Sequence, residues 1–361
     1  MRPAALPSVR PSRPGRRAML RGTLGVAVLA ATGCDVRLED DAPQIPLVPT
    51  REPIPAEDAL LWLLEDCRRL AARSGPDTAL YVDQAAVLRS ALFRAGVPIE
   101  TVDDRPPVPG PGATGGGEPT STAPGTMETT STSDAPTTSD TATAEPSSSP
   151  ATPGNPTTAT ADDLGAALRR VDDLARCGPG LFPLVMSLLS QRWAAVTAPG
   201  AVQDATTLPA WGDEADEDRD RLWRFPHLAA GFAEQTAAAV YGFEVVAAQT
   251  REETRDAALA TLADLLRLRT EQHARAGGPL PGPVLGYSLP FAVDSPESAR
   301  RLATHVLSGL VDGYGGLLPT VTGAAQEDSA HDVVRWLGTA AAHGASWSVP
   351  LQAFPGTSAT G

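Results

Sequence analysis

The sequence predicts an all-α protein built as two sequential antiparallel four-helix bundles, the first interrupted by a long low-complexity segment. Three observations lead there. Apolar residues return at steps of three, four and seven in eight separate stretches, the period of a helix with one buried face. Glycine-proline clusters and N-cap residues punctuate those stretches. No segment reads as strand, which removes the usual dinucleotide-binding folds.

Residues 1–33 read as an export signal. Arg16-Arg17-Ala18-Met19-Leu20-Arg21 resembles a twin-arginine motif, and the short apolar run from Gly22 to Thr32 ends in Ala31-Thr32-Gly33-Cys34, similar to a bacterial lipobox. Eleven residues are too few to span a bilayer as a helix. The expectation is a chain lipidated at Cys34 on the outer face of the cytoplasmic membrane, or an ordinary secretory signal with a coincidental cysteine. Residues 34–55, proline-rich and polar, form the tether.

The first bundle takes its helices from 56–100 and 161–198. In the first hairpin, Leu60, Leu63, Leu64, Cys67 and Leu70 share one face, and Ser74-Gly75-Pro76 ends that helix. Asp77 or Thr78 caps the next, whose stripe is Leu80, Gln84, Val87, Leu88 and Ala91. A third helix runs from Ala161 to Cys177 with Leu164, Leu168, Val171 and Leu174 inward. A fourth, Phe182 to Val196, is apolar nearly all round and therefore central. Residues 101–160 between the hairpins are Ser, Thr, Pro, Gly and Ala, too poor in apolar groups to offset chain entropy, so disorder is expected. They fit a glycosylated stalk or a tolerated insertion.

Residues 199–223 link the halves. The run Asp213 to Asp218 lacks the glycine and regular oxygen spacing of a calcium loop and reads as a solvated linker, with Trp211 and Trp223 anchoring it to bundle surfaces.

The second bundle occupies 224–345. Its first helix, Pro226 to Gln249, turns Leu228, Phe232, Ala239, Phe243 and Val246 inward. Thr250 with Glu253 forms a capping-box pattern opening the second, whose stripe is Leu259, Leu262, Leu266 and Thr270 and whose end is Gly277-Gly278-Pro279. Ser295-Pro296-Glu297 starts the third, with Leu302, Val306, Leu310 and Tyr314 inward and Gly315-Gly316 closing it. Ala330, Val333, Val334, Leu337 and Ala341 mark the fourth. Residues 346–361 are a tail.

Composition limits the partners. Lysine is absent, so every basic residue is arginine, and the formal charge is -14. The six arginines before Cys34 meet no acid there, so their removal takes the formal charge to -20, with 23 arginines left against 43 acids. Such a surface repels nucleic acid and anionic headgroups. The membrane contact expected is the N-terminal lipid alone, and the other partner is an envelope protein or a small ligand whose identity the residues do not reveal.

With Cys34 lipidated, Cys67 and Cys177 remain as an even pair in an oxidising compartment, which suits a disulfide; two independent buried thiols are the alternative. Neither has a second ligand at metal spacing.

Glu234, Tyr241-Gly242-Phe243, Tyr287-Ser288-Leu289-Pro290-Phe291, Arg335-Trp336 and Phe354-Pro355-Gly356 together resemble a ferritin-like domain family of unknown function found in exported actinobacterial proteins. The likeness covers about residues 225–356. It implies a ferritin-like bundle without implying iron.

The residues present do not supply the usual di-iron set, which takes a Glu from each of two helices and a Glu-x-x-His from each of the other two. Glu271 and His273 are two apart and diverge by about 200 degrees. Glu297 lies in a first turn and His305 off the stripe. Glu327 and His331, four apart, share a face, and Glu234 lies on a stripe with Tyr241 and Val245 that would half-bury it. These three are the only candidate ligands, each with a hydrogen-bonding role as the alternative. No phosphate loop, serine elbow or Cys-x-x-Cys is present. The expected function is therefore binding or scaffolding without catalysis and without a cofactor; a ferritin-like metal-dependent oxidoreductase is the alternative.

Overall fold

The structure, a computed structural model, describes residues 51–73, 75, 77–103, 161–197, 222–278 and 286–357. Arg16, Arg17, Cys34, most of the tether, residues 104–160, the acid run and Trp211 lie outside them.

The described residues hold ten α-helices and no strand. The first half carries α1 (Glu57–Ala71), α2 (Thr78–Arg94), α3 (Ile99–Asp103), α4 (Ala161–Leu168), α5 (Val171–Ala175) and α6 (Phe182–Thr197). The second carries α7 (Pro226–Gln249), α8 (Glu252–Arg275), α9 (Pro296–Leu317), a 3-10 turn (Leu318–Thr320) and α10 (Ala324–Ser346). Antiparallel neighbours follow from short connections: α1 packs on α2, and α7 lies between α8 and α9, with α10 against α9.

Sequence periodicity leaves the placement of the two halves open. In the structure they share one hydrophobic core, and its widest helix seam joins α6 to α10. Gly338 makes that seam possible. A Cβ there would lie 2.6 Å from Trp193 Cδ1 and 2.8 Å from the Ser190 carbonyl, so a bare backbone is needed for the helices to close. Trp193 Nε1 then donates to Thr339 Oγ1 at 3.3 Å.

Several boundaries follow from local chemistry. Ser295 accepts from the Ser298 amide at 3.2 Å while Ser298 Oγ accepts from the Ser295 amide at 3.0 Å, a reciprocal box with Pro296 in the first turn. Gly277 takes the left-handed conformation after α8.

Other expectations are corrected. The Thr250–Glu253 box does not form, because Thr250 Oγ1 donates back to the Val246 carbonyl at 2.8 Å and α8 begins beyond it. The expected helix from Ala161 to Cys177 breaks at Arg169-Arg170, and the Arg170 guanidinium lies over the Trp62 ring at 4.2 Å. Gly315 and Gly316 lie within α9 and do not end it. The inward face of α8 is Ala258, Thr261, Leu265, Leu268 and Gln272, which leaves Leu259 and Leu266 each 44% exposed. Trp223 is buried in the core and stacks on Trp336 with centroids 5.0 Å apart, so it does more than anchor a linker to a surface.

The last residues also belong to this core. Ser187 Oγ donates to the Pro355 carbonyl at 2.6 Å, and Gln84 Nε2 to the Ala353 carbonyl at 2.8 Å. The stretch around residues 353–355 is thus held by α6 and α2 of the first half.

Candidate functional site

Two buried polar assemblies stand out. The first lies between α7, α8 and α9, where Thr236 meets Gln272 and Tyr314 from the last turns of α8 and α9. Thr236 Oγ1 donates to Gln272 Oε1 at 2.6 Å, Gln272 Nε2 donates to the Tyr314 oxygen at 2.7 Å, and that hydroxyl meets Thr236 Oγ1 at 2.5 Å. With the Tyr314 proton directed at Thr236, each group donates once and accepts once around a closed uncharged ring. All three side chains are fully buried. Burial pushes the Tyr314 phenol up to about 12, so it keeps its proton.

Phe232 packs on Tyr314 and on Trp336, continuing the ring into an aromatic stack with Trp223. At its edge charges appear in balance. Arg335 pairs with Glu271, Arg275 Nε lies 2.8 Å from Asp332 Oδ2, and the same carboxylate accepts from Trp223 Nε1 at 2.8 Å. Glu271 accepts from Trp336 Nε1 at 3.2 Å. Glu271 and Asp332 therefore tie α8 to α10.

The second assembly joins α1, α2, α4 and α6. Arg192 is fully buried, with its guanidinium 4.4 Å over the Tyr81 ring. Its Nη2 donates to Cys67 Sγ at 3.4 Å and lies 3.8 Å from Asp66 Oδ2. Cys67 Sγ faces Gln84 Oε1 at 3.9 Å, and Gln84 Nε2 donates to Gln191 Oε1 at 3.0 Å. Arg69 bridges Asp66 and Asp163, and Arg73 pairs with Asp163 through both nitrogens. The sequence missed Arg192 because one arginine on an apolar helix carries no periodic signal.

The predicted Cys67–Cys177 bridge is absent: both thiols are free and buried. Cys67 is committed to Arg192 and Gln84, whereas Cys177, beyond the end of α5, points to the Gly178 carbonyl at 3.8 Å. Burial pushes both thiols up to about 12.

The candidate metal ligands do not meet. Glu234 is exposed, because two residues along α7 from Phe232 and from Thr236 is about 200 degrees away from the buried face. Glu327 lies 3.6 Å from Arg176, and His331 Nε2 lies 2.7 Å from Asp172 Oδ1. The Glu327–His331 face thus docks α10 on the α5 region. Among the described residues, no three His, Cys, Asp or Glu side chains converge as a metal site would require.

Against known families, residues 228–359 match one described as Domain of unknown function (DUF4439). This stretch is a DUF4439 domain. It starts inside α7 and takes in the docked chain end. No curated protein and no solved structure matches the chain. The Thr236–Gln272–Tyr314 ring lies inside the DUF4439 domain, whereas the side chains of the Arg192 assembly come from outside it and meet it where Gln84 donates to the Ala353 carbonyl.

Proposed function

We propose that this chain is an exported lipoprotein, anchored through Cys34 to the outer face of the cytoplasmic membrane, whose ferritin-like DUF4439 domain serves binding or scaffolding in the cell envelope and catalyses no reaction. The observation that supports the non-catalytic part is the neutral ring of Thr236, Gln272 and Tyr314, fully buried between α7, α8 and α9. In a ferritin-like metal centre, carboxylates and imidazoles from the four helices would face each other in the bundle interior. Here each polar group of the ring is uncharged and spent on its neighbours, and the nearby carboxylates Glu271 and Asp332 are paired with Arg335 and Arg275. The twin-arginine pattern at Arg16-Arg17 and the lipobox-like Ala31 to Cys34 support export and anchoring.

The test has two arms. Cys34→Ala moves the protein from the membrane fraction to the soluble fraction, and mass spectrometry finds acyl chains on Cys34 of the native chain. Elemental analysis of the protein produced with iron, manganese and zinc present shows no stoichiometric metal. Stoichiometric metal lost in Glu234→Ala would overturn the non-catalytic reading in favour of a metal oxidoreductase.

A further inference from the structure

The Arg192 assembly is out of charge balance. Arg69, Arg73 and Arg192 face only Asp66 and Asp163, an excess of one positive charge. Asp163 is taken up by Arg69 and Arg73, and Asp66 gives Oδ1 to Arg69 while its Oδ2 lies 3.8 Å from Arg192 Nη2 without a hydrogen bond. The neighbouring outer group does not supply the missing charge, since Arg68 and Arg89 are met there by Glu65 and Asp103. Cys67 stays a neutral thiol at any ordinary pH. The Glu271–Arg335–Asp332–Arg275 group across the molecule offers the contrast of two cations against two carboxylates.

Unused donors coincide with the excess. Arg192 Nε and Nη1 have no hydrogen-bond partner although the residue is fully buried, and Gln191 Nε2, on the same network, has none either. A buried guanidinium with two idle N–H groups carries a desolvation penalty that native proteins offset with a partner. A water molecule would accept those hydrogen bonds and leave the charge uncompensated. Cys67, Gln84, Gln191 and Arg192 are all closed to solvent, which restricts the occupant to a very small ion.

We propose that Arg192 binds one monovalent anion of chloride size through Nε and Nη1, at the buried junction of α1, α2 and α6, with Gln191 Nε2 as a further donor. The ion enters as the chain folds and stabilises the native state by mass action. It is a structural anion of the first half, independent of the lipid anchor and of the DUF4439 ring.

Crystals of the full chain soaked in bromide test this directly. The expected result is an anomalous peak within hydrogen-bonding distance of Arg192 Nε and Nη1. Thermal unfolding at constant ionic strength should give a higher Tm in chloride than in gluconate, and Arg192→Met should abolish that difference. A water molecule in place of the ion, bromide at surface positions only, or equal Tm in both salts would overturn the proposal. Should Arg192→Met fail to fold, the bromide map and salt comparison on the native chain decide.

Discussion

Gln272 donates its Nε2 hydrogen to the phenolic oxygen of Tyr314 across 2.7 Å, joining the last turn of α8 to that of α9. Because Thr236 closes the ring, removing one member leaves a buried donor or acceptor of its neighbours unpaired, although Thr236 Oγ1 keeps the Phe232 carbonyl at 2.9 Å as an alternative acceptor. Tyr314→Phe is expected to cost about 1 to 3 kcal/mol, the penalty of a buried unsatisfied group. Thr236→Val should cost a similar amount, and the double variant less than the sum. Urea unfolding of the two singles and the double measures the coupling; strict additivity would rule the ring out.

Gly315 and Gly316 are neighbours with opposite expectations. A Cβ on Gly315 would run into the Gly356 carbonyl, whereas one on Gly316 meets nothing within 4 Å. Gly315→Ala should expel the Phe354–Gly356 segment, lower the Tm and open that segment to limited proteolysis. Gly316→Ala, at an exposed helical position, should stabilise by about 0.5 to 1 kcal/mol.

His343 sets part of the acid limit. Burial lowers its pKa, with Arg267 acting the same way and Asp264, 3.2 Å away, acting against them. The unfolded histidine, near 6.5, therefore takes up a proton more readily than the folded one. Its contribution is fully present above about 6.5 and is lost as pH falls toward the folded value. Urea midpoints from pH 8 to 5 should decline less steeply for His343→Gln than for the native chain.

Cys67 and Cys177 should behave as structural thiols. A thiol-specific chromogenic reagent is expected to leave both unmodified in the native chain and to titrate both in denaturant, with the same gel mobility before and after reduction. A mobility difference that vanished in Cys177→Ser would restore the disulfide.

The register of α8 can be checked by two adjacent residues. Leu265→Ala removes a fully buried side chain and should cost about 2 to 5 kcal/mol. Leu266→Ala, on the outer face, should stay within about 1 kcal/mol. Reversed values would return the helix to the face its leucine spacing suggests.

That helix also shows where sequence periodicity stops being informative. Leu259, Leu262 and Leu266 form one apolar stripe of α8, and Leu265 and Leu268 lie on another. Hydrophobicity alone favours the longer set, but the true inner face is chosen by polar partners on other helices. Gln272 must reach Tyr314, and Thr261 must receive the Trp347 Nε1 hydrogen at 3.1 Å. By contrast α7, α9 and α10 were legible, since Phe232, Phe243, Leu302, Leu310, Val333 and Leu337 are all buried on the stripes their spacing predicts. The three candidate metal ligands were legible as residue types only. Glu327 and His331 do share a face, but their partners, Arg176 and Asp172, come from a segment about 150 residues earlier.

The carbonyls of Ala353 and Pro355, taken up by Gln84 and Ser187, bear on the order of events during synthesis. Helices made early leave the ribosome well before the residues that complete their packing. The amino-terminal half can collapse as it emerges, but its packing stays unfinished until the turn around residues 353–356 has been made and threads in beside Gly315. Contacts spanning 168 and 269 positions of the chain make that last step slow relative to helix formation. A chain cut before Ala353 would keep its helices and lack the piece that locks α2 to α6.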